Sequence, residues 1–288
     1  MKQIGVIANL DKPNCKAVLA RLAARAKERG FTLVATEGAE SHLPEARTLP
    51  IAEWGATVDV VIALGGDGTM LHAVRMLDSA DTPVLGVNIG SLGFLTSVTE
   101  AEVEHAVDML AAGTYSVSER SLLRCSVMRE AETIHHSIAL NDMVVGWGAS
   151  SRALMLRLRI DAEEVAQYLC DGLIVSTPTG STGHSLSAGG PVVHPAAPVM
   201  CINVICPHTL GARPLVLSDT SMIEIEVLDI PEHKRPLLSA DGQGEFVLAV
   251  GDGLAITRYE PRARFVHLPE YSYFSVLRQK LHWRGSAR

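Results

Sequence analysis

The sequence has few cysteines and no long apolar run, and each absence excludes a class of protein. Its cysteines form no Cys-x-x-Cys pair and stand at scattered positions: Cys15, Cys125, Cys170, Cys201 and Cys206. An odd, dispersed set predicts reduced thiols in a cytoplasmic protein and argues against a zinc site. No apolar run approaches the roughly 20 residues of a membrane span. Asn9, Asp11 and Lys12 interrupt the apolar N-terminus too early for a signal peptide.

Basic residues are also scarce. Lys and Arg number 25 against 32 Asp and Glu, which gives a formal net charge of −7. A general nucleic-acid binder needs a basic surface, so we expect no nucleic-acid partner. The apolar content of 47% with 5% aromatics is that of a globular protein, and 288 residues suit one large domain or two ordinary ones.

Two common phosphate-binding motifs are missing. The chain contains no Gly-Lys-Ser/Thr sequence, so it has no Walker A loop. The first predicted strand is followed by Asn9-Leu10-Asp11-Lys12 and not by a Gly-x-Gly-x-x-Gly turn. The dinucleotide fingerprint that would bind a pyrophosphate at that turn is therefore absent.

The first part of the chain alternates between apolar strands and amphipathic helices. This alternation predicts an open parallel α/β sheet over residues 1–115. The predicted strands are Ile4–Ala8, Phe31–Ala35, Val58–Leu64 and Pro83–Val87, and the predicted helices are Lys16–Arg29, Met70–Leu77 and Glu102–Ala112.

After Tyr115 the pattern changes to period two. Apolar and polar residues alternate through Leu154–Ile160 and Ile223–Val227, as in half-buried antiparallel strands. We therefore predict a mostly-β, sandwich-like domain over residues 116–268. The tail, 269–288, is predicted to carry a helix from Tyr273 to Trp283 that packs back on the first domain.

A first glycine-rich block, Gly65-Gly66-Asp67-Gly68-Thr69, stands between an apolar strand and a helix. Ligands of open α/β sheets bind at the carboxyl ends of strands, and a helix N-terminus favours an anion. Asp67 is thus a candidate for chemistry on a phosphate. The alternative is a tight turn in which Asp67 only caps the following helix.

A second block is longer and more specific. It runs from Asp171-Gly172-Leu173-Ile174 through Thr177-Pro178-Thr179-Gly180-Ser181-Thr182 to Ser187-Ala188-Gly189-Gly190-Pro191. Together with the first block, it closely resembles the motifs of the NAD kinase family. Further segments that resemble the family lie in matching order along nearly the whole chain: Asn88–Leu95, Cys206–Leu210, Arg213–Leu215, Ser239–Gln243 and Glu270–Phe274.

The resemblance implies a reaction in which ATP phosphorylates the 2′-hydroxyl of the adenosine ribose of NAD to give NADP. It implies a divalent cation, Mg²⁺ above all, on the donor phosphates. It also implies NAD bound between the two domains, and a homodimer or homotetramer. Whether polyphosphate also serves as donor, and whether NADH is accepted, stay open.

The family's functional positions carry over residue by residue. Asp67 would accept the ribose proton, with Gly68 and His72 near the phosphates. The residues expected to bind the dinucleotide are Asn141, Asp142, Arg152, Asp171, Thr182, Gly183, His184, Ser185, Leu186, Ser187 and Gln243. The chain departs from the family pattern at three places. Asp142 replaces a Glu, Leu169 stands where a basic residue is common, and Gly183-His184 replaces Ala-Tyr.

Two other functions stay open from the sequence. A non-catalytic NAD(P) sensor would keep the pocket, but binding alone does not require Asp67. A lipid kinase shares the first block, but its lipid tails would need an apolar entrance, whereas the second block predicts a polar lining.

Overall fold

The computed structural model describes residues 2–36, 42–78, 81–90, 93–146, 153–230 and 235–283. The chain forms two compact units. One of them, which we call the N-terminal unit, consists of the described residues of Met1–Glu119 and Ala263–Arg288. Arg120–Arg262 forms the other, the C-terminal unit.

The N-terminal unit begins with alternating strands and helices. The strands are β1 (Gln3–Ala8), β2 (Thr32–Ala35), β3 (Arg47–Thr48), β4 (Val60–Gly65), β5 (Val84–Asn88) and β6 (Val98–Thr99), and the helices are α1 (Cys15–Glu28), α2 (Trp54–Thr57), α3 (Asp67–Leu77) and α4 (Val103–Ala112).

These strands form a parallel sheet in the order β3-β2-β1-β4-β5-β6. All residues of β4 and β5 are buried, as expected for central parallel strands covered on both faces. Helix α1 buries Val18, Leu19 and Leu22, which share one face at helical spacing. The predicted parallel α/β sheet is confirmed.

The C-terminal unit is built almost entirely of strands. They are β7 (Ser116–Arg129), β8 (Glu132–Ala139), β9 (Asp142–Gly146), β10 (Leu154–Ile160), β11 (Glu163–Cys170), β12 (Gly172–Ser176), β13 (Val199–Ile205), β14 (Leu215–Ser218), β15 (Ile223–Asp229), β16 (Leu237–Ala240), β17 (Gly244–Val247) and β18 (Gly253–His267), and the one-turn helix α5 spans His184–Ser187.

The strands of this unit form antiparallel arrays. One has the order β14-β13-β12-β9-β16-β17, and another the order β11-β10-β15-β18, with β7 and β8 paired as a hairpin. Leu156 of β10, Leu173 of β12 and Ile225 of β15 belong to the same buried apolar cluster. A core shared by two sheets confirms the predicted sandwich-like β domain.

The end of the chain belongs to the N-terminal unit. Phe265 of β18 pairs in parallel with Val84 of β5, and Val266 and Leu268 join the apolar core that contains Ile4. Helix α6 (Tyr273–Lys280) follows, and the hydroxyl of Ser272 accepts the Ser275 N–H at its start. The chain returns to the first domain from Ala263 onward, before the predicted tail, 269–288, begins. Among the described helices, none has the length and apolarity that crossing a membrane requires.

An ion pair between a partly exposed arginine, Arg129, and a fully buried aspartate, Asp252, holds the turn before β18. The guanidinium of Arg129 donates to both carboxylate oxygens of Asp252, at 2.7 and 2.8 Å, and the Ala249 N–H also donates to that carboxylate. Burial alone would raise the pKa of Asp252, but these hydrogen bonds outweigh it and lower that pKa. The pair therefore stabilises the fold above the ordinary pKa of Asp, and its contribution is lost as the carboxylate protonates in acid.

Asp252→Ala should lower the free energy of unfolding by about 2–3 kcal/mol at pH 7, because it removes three hydrogen bonds to a buried charge. Urea denaturation at pH 7 and again below pH 4 measures the effect, and the difference from the wild type should shrink in acid. Glu260→Ala is the control. Glu260 pairs with Arg258 but its side chain is 82% exposed, so its loss should cost about 0.5 kcal/mol or less. Equal effects of the two variants would contradict the prediction.

Candidate functional site

Asp67 is the first residue of α3 and stands at the carboxyl end of β4. Its carboxylate does not cap its own helix, because Gly66 is the N-cap residue. Instead, the two carboxylate oxygens accept the backbone N–H groups of Phe94 at 2.8 Å and Leu95 at 2.9 Å. The interpretation of Asp67 as a simple helix cap is therefore wrong. A carboxylate offers about four lone-pair sites, so each oxygen can still accept one more hydrogen bond.

The loop after β5 fits closely around this carboxylate. A Cβ added to Gly93 would overlap both carboxylate oxygens of Asp67. The Gly93 N–H donates to the hydroxyl of Thr96, which is fully buried. The loop thus fixes where the Asp67 carboxylate points, and only glycine at position 93 leaves room for that arrangement.

Gly68 and His72 follow Asp67 on α3, and both are exposed. Partial desolvation and the charge of Arg75 lower the pKa of His72, which favours its neutral form at pH 7. The predicted phosphate-side residues therefore lie on one helix, with a positive helix N-terminus and an uncharged imidazole.

Within the C-terminal unit, a cavity of about 440 Å³ contains several of the predicted binding residues. Asn141, Asp142 and His184 line it, although they come from separate segments of the chain. The other lining residues are Val144, Gly146, Leu237, Ser239, Asp241, Gly242 and Glu245. A volume of this order can hold part of a dinucleotide.

Asp142 is the most perturbed group of this cavity. The residue is 6% exposed, and burial, together with the nearby charge of Asp241, raises the pKa of Asp142 to about 7. A carboxyl with this pKa is partly protonated at neutral pH, so it can donate or accept a hydrogen bond.

The corner that carries Asn141 and Asp142 is fixed by the second block. The Thr177 N–H donates to the carbonyl of Asn141 at 2.8 Å, and the Thr177 hydroxyl donates to the carbonyl of Leu140 at 2.6 Å. A Cβ added to Gly180 would overlap the backbone of Asn141. Threonine and glycine in the second block thus hold the corner by direct contact.

The residues Thr182 to Ser187 do not all take part in the cavity. His184 lines it, whereas Ser185 is fully buried and its hydroxyl donates to the side-chain carbonyl oxygen of Asn203 at 3.1 Å. The partly exposed residues Thr182 and Leu186, and the exposed residues Gly183 and Ser187, flank His184 on the same segment. Of this segment, His184 therefore has the most direct access to a ligand in that cavity.

Asp171, Gln243 and Arg152 complete the predicted set. Asp171 precedes β12, and its carboxylate accepts a hydrogen bond from the exposed thiol of Cys206, which raises the pKa of that thiol. The Gln243 N–H donates to the carbonyl of Ala240 in the turn after β16. Arg152 lies outside the described residues.

Sequence reasoning named three of the ten lining residues, and the seven that it missed include two acids, Asp241 and Glu245. Asp241 lies inside a segment that resembles the family, but Asp-Gly is also an ordinary turn sequence, which gave no signal of a cavity. Glu245 is the second residue of β17 and reads as a solvated strand position. In the part of the chain that the structure describes, no group of three or more His, Cys, Asp or Glu side chains could form a metal site.

Two family models match this chain. The model of the ATP-NAD kinase N-terminal domain matches residues 4–115, and that of the ATP-NAD kinase C-terminal domain matches residues 140–268. The NAD kinase of Geotalea daltonii is 38% identical over 98% of this chain and 99% of that protein.

Solved structures share the fold. A yeast NADH kinase, solved with NADH, superposes with a TM-score of 0.91 at 24% identity, over 100% of this chain and 89% of the other. An NAD kinase of Archaeoglobus fulgidus, solved with ATP, gives a TM-score of 0.78 at 25% identity, over 98% of this chain and 100% of the other.

The fold and the two glycine-rich blocks define a nucleotide phosphotransferase made of an α/β unit and a β unit. Within that class, the matches over nearly the whole length show that the chain belongs to the NAD kinase family. It is accordingly an ATP-NAD kinase, the activity by which both family models are described.

Gly93→Ala should fold but lose activity, because the new methyl group must displace the Asp67 carboxylate. A displacement of about 1 Å at a reacting group can cost about 10²-fold in rate, so we expect turnover to fall by that order. An NADP-coupled assay and thermal melting test this. Gly253→Ala is the control, since a Cβ there meets only ordinary contact at 3.8 Å. Wild-type turnover in Gly93→Ala would show that the close approach does not matter.

Asp142→Asn should stabilise the protein more at pH 8 than at pH 5. The folded protein raises the pKa of Asp142 to about 7, so the wild type loses stability from the ordinary pKa of Asp, about 3.9, up to about pH 7, because the unfolded carboxyl ionises over that range while the folded one stays protonated. The neutral isostere removes this cost and leaves the side chain the same size. Thermal melting of both proteins across the pH range measures the difference. A gain that stays constant with pH would mean that the charge of Asp142 is not the cause.

Proposed function

We propose that Asp67 is the general base of the reaction. As the adenosine ribose 2′-oxygen of NAD forms a bond to the γ-phosphorus of ATP, the bond from that phosphorus to the β-γ bridging oxygen breaks and ADP leaves. The 2′-hydroxyl proton passes to the Asp67 carboxylate. The observation that carries this proposal is the fixed carboxylate, held by the Phe94 and Leu95 amides with acceptor capacity to spare.

The start of α3 is the proposed phosphate side of the site. Gly66 is extended and carries no Cβ, Gly68 is exposed, and the helix N-terminus favours an anion. A bound Mg²⁺ would neutralise charge on the donor phosphates. Mg²⁺ commonly keeps several waters and takes few protein ligands. The two carboxylate oxygens of Asp67 therefore suit a metal ion that would be held mainly by the donor phosphates.

The cavity of the C-terminal unit is the proposed NAD site. Hydroxyl groups of a ribose need hydrogen-bond partners, and Asn141 and Asp142 present an amide and a carboxyl there. The Asn141 side-chain oxygen is buried and finds no hydrogen-bond partner among the residues that the structure describes, which supports a role toward a ligand. His184 offers a flat ring for stacking in the place of the family's tyrosine.

The remaining predicted contacts stay proposals: Gly68, His72, Arg152, Asp171, Thr182, Gly183, Ser185, Leu186, Ser187 and Gln243. For Ser185, the hydrogen bond to Asn203 supports a role in holding the segment and not in touching NAD. Asp171 is proposed to bind NAD of the same or a neighbouring subunit.

We further propose a cytoplasmic homodimer or homotetramer. All five cysteines are free, and four are buried, which supports a reducing setting. The outer strand β14 exposes Val216 to 50%, and outer strands with free edges offer a pairing route.

Asp67→Asn should reduce the rate of NADP formation by roughly 10²- to 10⁴-fold, because the amide cannot take the ribose proton. NAD affinity should stay close to normal. The fold should lose about 1 kcal/mol, since an Asn side chain accepts well from only one of the two loop amides. A coupled rate assay, NAD titration and thermal melting separate these effects.

The matched control is Asp78→Asn at the other end of α3. Asp78 is exposed, and Asn is close to Asp in size and in backbone preference, so this variant should keep wild-type turnover. Near-normal turnover in Asp67→Asn would falsify the role of Asp67 as the base.

A further inference from the structure

Asp241, in the turn between β16 and β17, accepts three successive backbone N–H groups. Its carboxylate binds the amide of Leu140 at 2.9 Å, that of Asn141 at 2.7 Å and that of Asp142 at 3.1 Å. In return, the Asp241 N–H donates to the carbonyl of Asp142 at 3.0 Å. Four hydrogen bonds thus join this turn to the corner between β8 and β9.

The amides of a chain that turns between two strands have no ladder partner and must find another acceptor. At this corner, Asp241 supplies that acceptor, while Thr177 donates to the carbonyls of Leu140 and Asn141 from the opposite side. The donors and acceptors of the corner are therefore satisfied by two different segments. The backbone has little freedom to rotate, so the directions of the Asn141 and Asp142 side chains are set.

The choice of aspartate is not explained by the turn alone. Asp241 has a φ of 54°, a conformation in which Asn and Gly are also favourable. Either would form the turn without placing a second carboxylate beside the buried Asp142. The charge of Asp241 disfavours ionisation of Asp142, and the cavity already contains Glu245. A second negative charge beside Asp142 is unfavourable, so we attribute the aspartate at position 241 to the hydrogen bonds that its carboxylate accepts.

We infer that Asp241 is a positioning residue for NAD binding, which holds the backbone of residues 140–142 so that the side chains of Asn141 and Asp142 present to the cavity. This inference rests on the proposed binding of NAD by that corner. Asp241 acts through Asn141 and Asp142 and needs no contact of its own with the reacting atoms.

The experiment compares Asp241→Asn and Asp241→Ala with the wild type in the full-length enzyme. The amide variant keeps one oxygen to accept from the corner, so the KM for NAD should rise by about fivefold, as expected for losing about one hydrogen bond. The alanine variant loses all three acceptor contacts, and its KM for NAD should rise by about 50-fold. In both variants kcat should change by less than about threefold, because the interaction exists in ground and transition states alike.

The pH profile is the readout that a purely structural role would not move. Asp142, His184, Asp241 and Glu245 are the titratable groups of the cavity. If the Asp142 carboxylate accepts a ribose hydroxyl, the KM for NAD rises as the pH falls and Asp142 protonates. Removing the charge of Asp241 makes Asp142 easier to ionise. The midpoint of that rise should therefore move to lower pH in Asp241→Asn.

Asp161→Asn is the matched control. Asp161 also has a positive φ, 51°, in a hairpin turn, and its carboxylate accepts the Met222 N–H at 2.8 Å, but it does not line the cavity. This variant should keep the wild-type KM and pH profile, and it should lose little thermal stability because its amide oxygen can still accept the Met222 N–H.

Asp142→Ala distinguishes a failure of the proposed NAD site from a failure of the role of Asp241. An unchanged KM for NAD in that variant means that the corner does not bind NAD, and the proposed function of the corner fails. A raised KM there, with wild-type KM and pH midpoint in folded Asp241→Asn, overturns the role of Asp241 alone. If Asp241→Ala does not fold, Asp241→Asn decides the question.

Discussion

Backbone amides at the ends of strands need acceptors, and in this protein carboxylates supply them. In the N-terminal unit, Asp67 accepts two amides of the loop after β5. In the C-terminal unit, Asp241 accepts three amides of the corner before β9. A charged acceptor forms shorter and stronger hydrogen bonds than a neutral one. Each unit thus fixes a loop with an acid whose own position is set by the same hydrogen bonds.

Much of the fold could be predicted from the sequence because apolar spacing reports burial directly. The strands β1, β4 and β5, and helix α1, lie within a few residues of their predicted positions. The short elements β3 and α2 were not predicted, because two to four residues are too few to show a hydrophobic period. Trp54 in α2 is fully buried against the backbone of Gly5, and no local sequence pattern indicates such a tertiary contact. Helix α3 begins at Asp67 and not at Met70, because Gly66 can serve as the N-cap.

Only part of the site could be predicted from the sequence. Asn141, Asp142 and His184 were found through the family motifs, and the cavity brings them together. Asp241 was not found, because an aspartate in a turn looks the same in sequence whether it serves only the turn or accepts three distant amides. The raised pKa of Asp142 also has no local signal, since it depends on burial and on a residue about a hundred positions away. At this site, an aspartate that stands where the resembled family motif has a glutamate keeps a carboxyl, and burial together with the charge of Asp241 raises the pKa of that carboxyl to about 7.

The discontinuous make-up of the N-terminal unit has a consequence for synthesis on the ribosome. Residues 120–262 are contiguous, so every segment of the C-terminal unit is available once residue 262 has emerged. The N-terminal core also needs Val266 and Leu268, which pack in one cluster with residues as early as Ile4, and Phe265, which pairs with Val84 of β5. Closing so long a loop costs entropy before any contact repays it. The N-terminal unit, whose first strands precede the C-terminal unit along the chain, is therefore completed after it. Until then, the edge of β5 that pairs with β18 is open to aggregation.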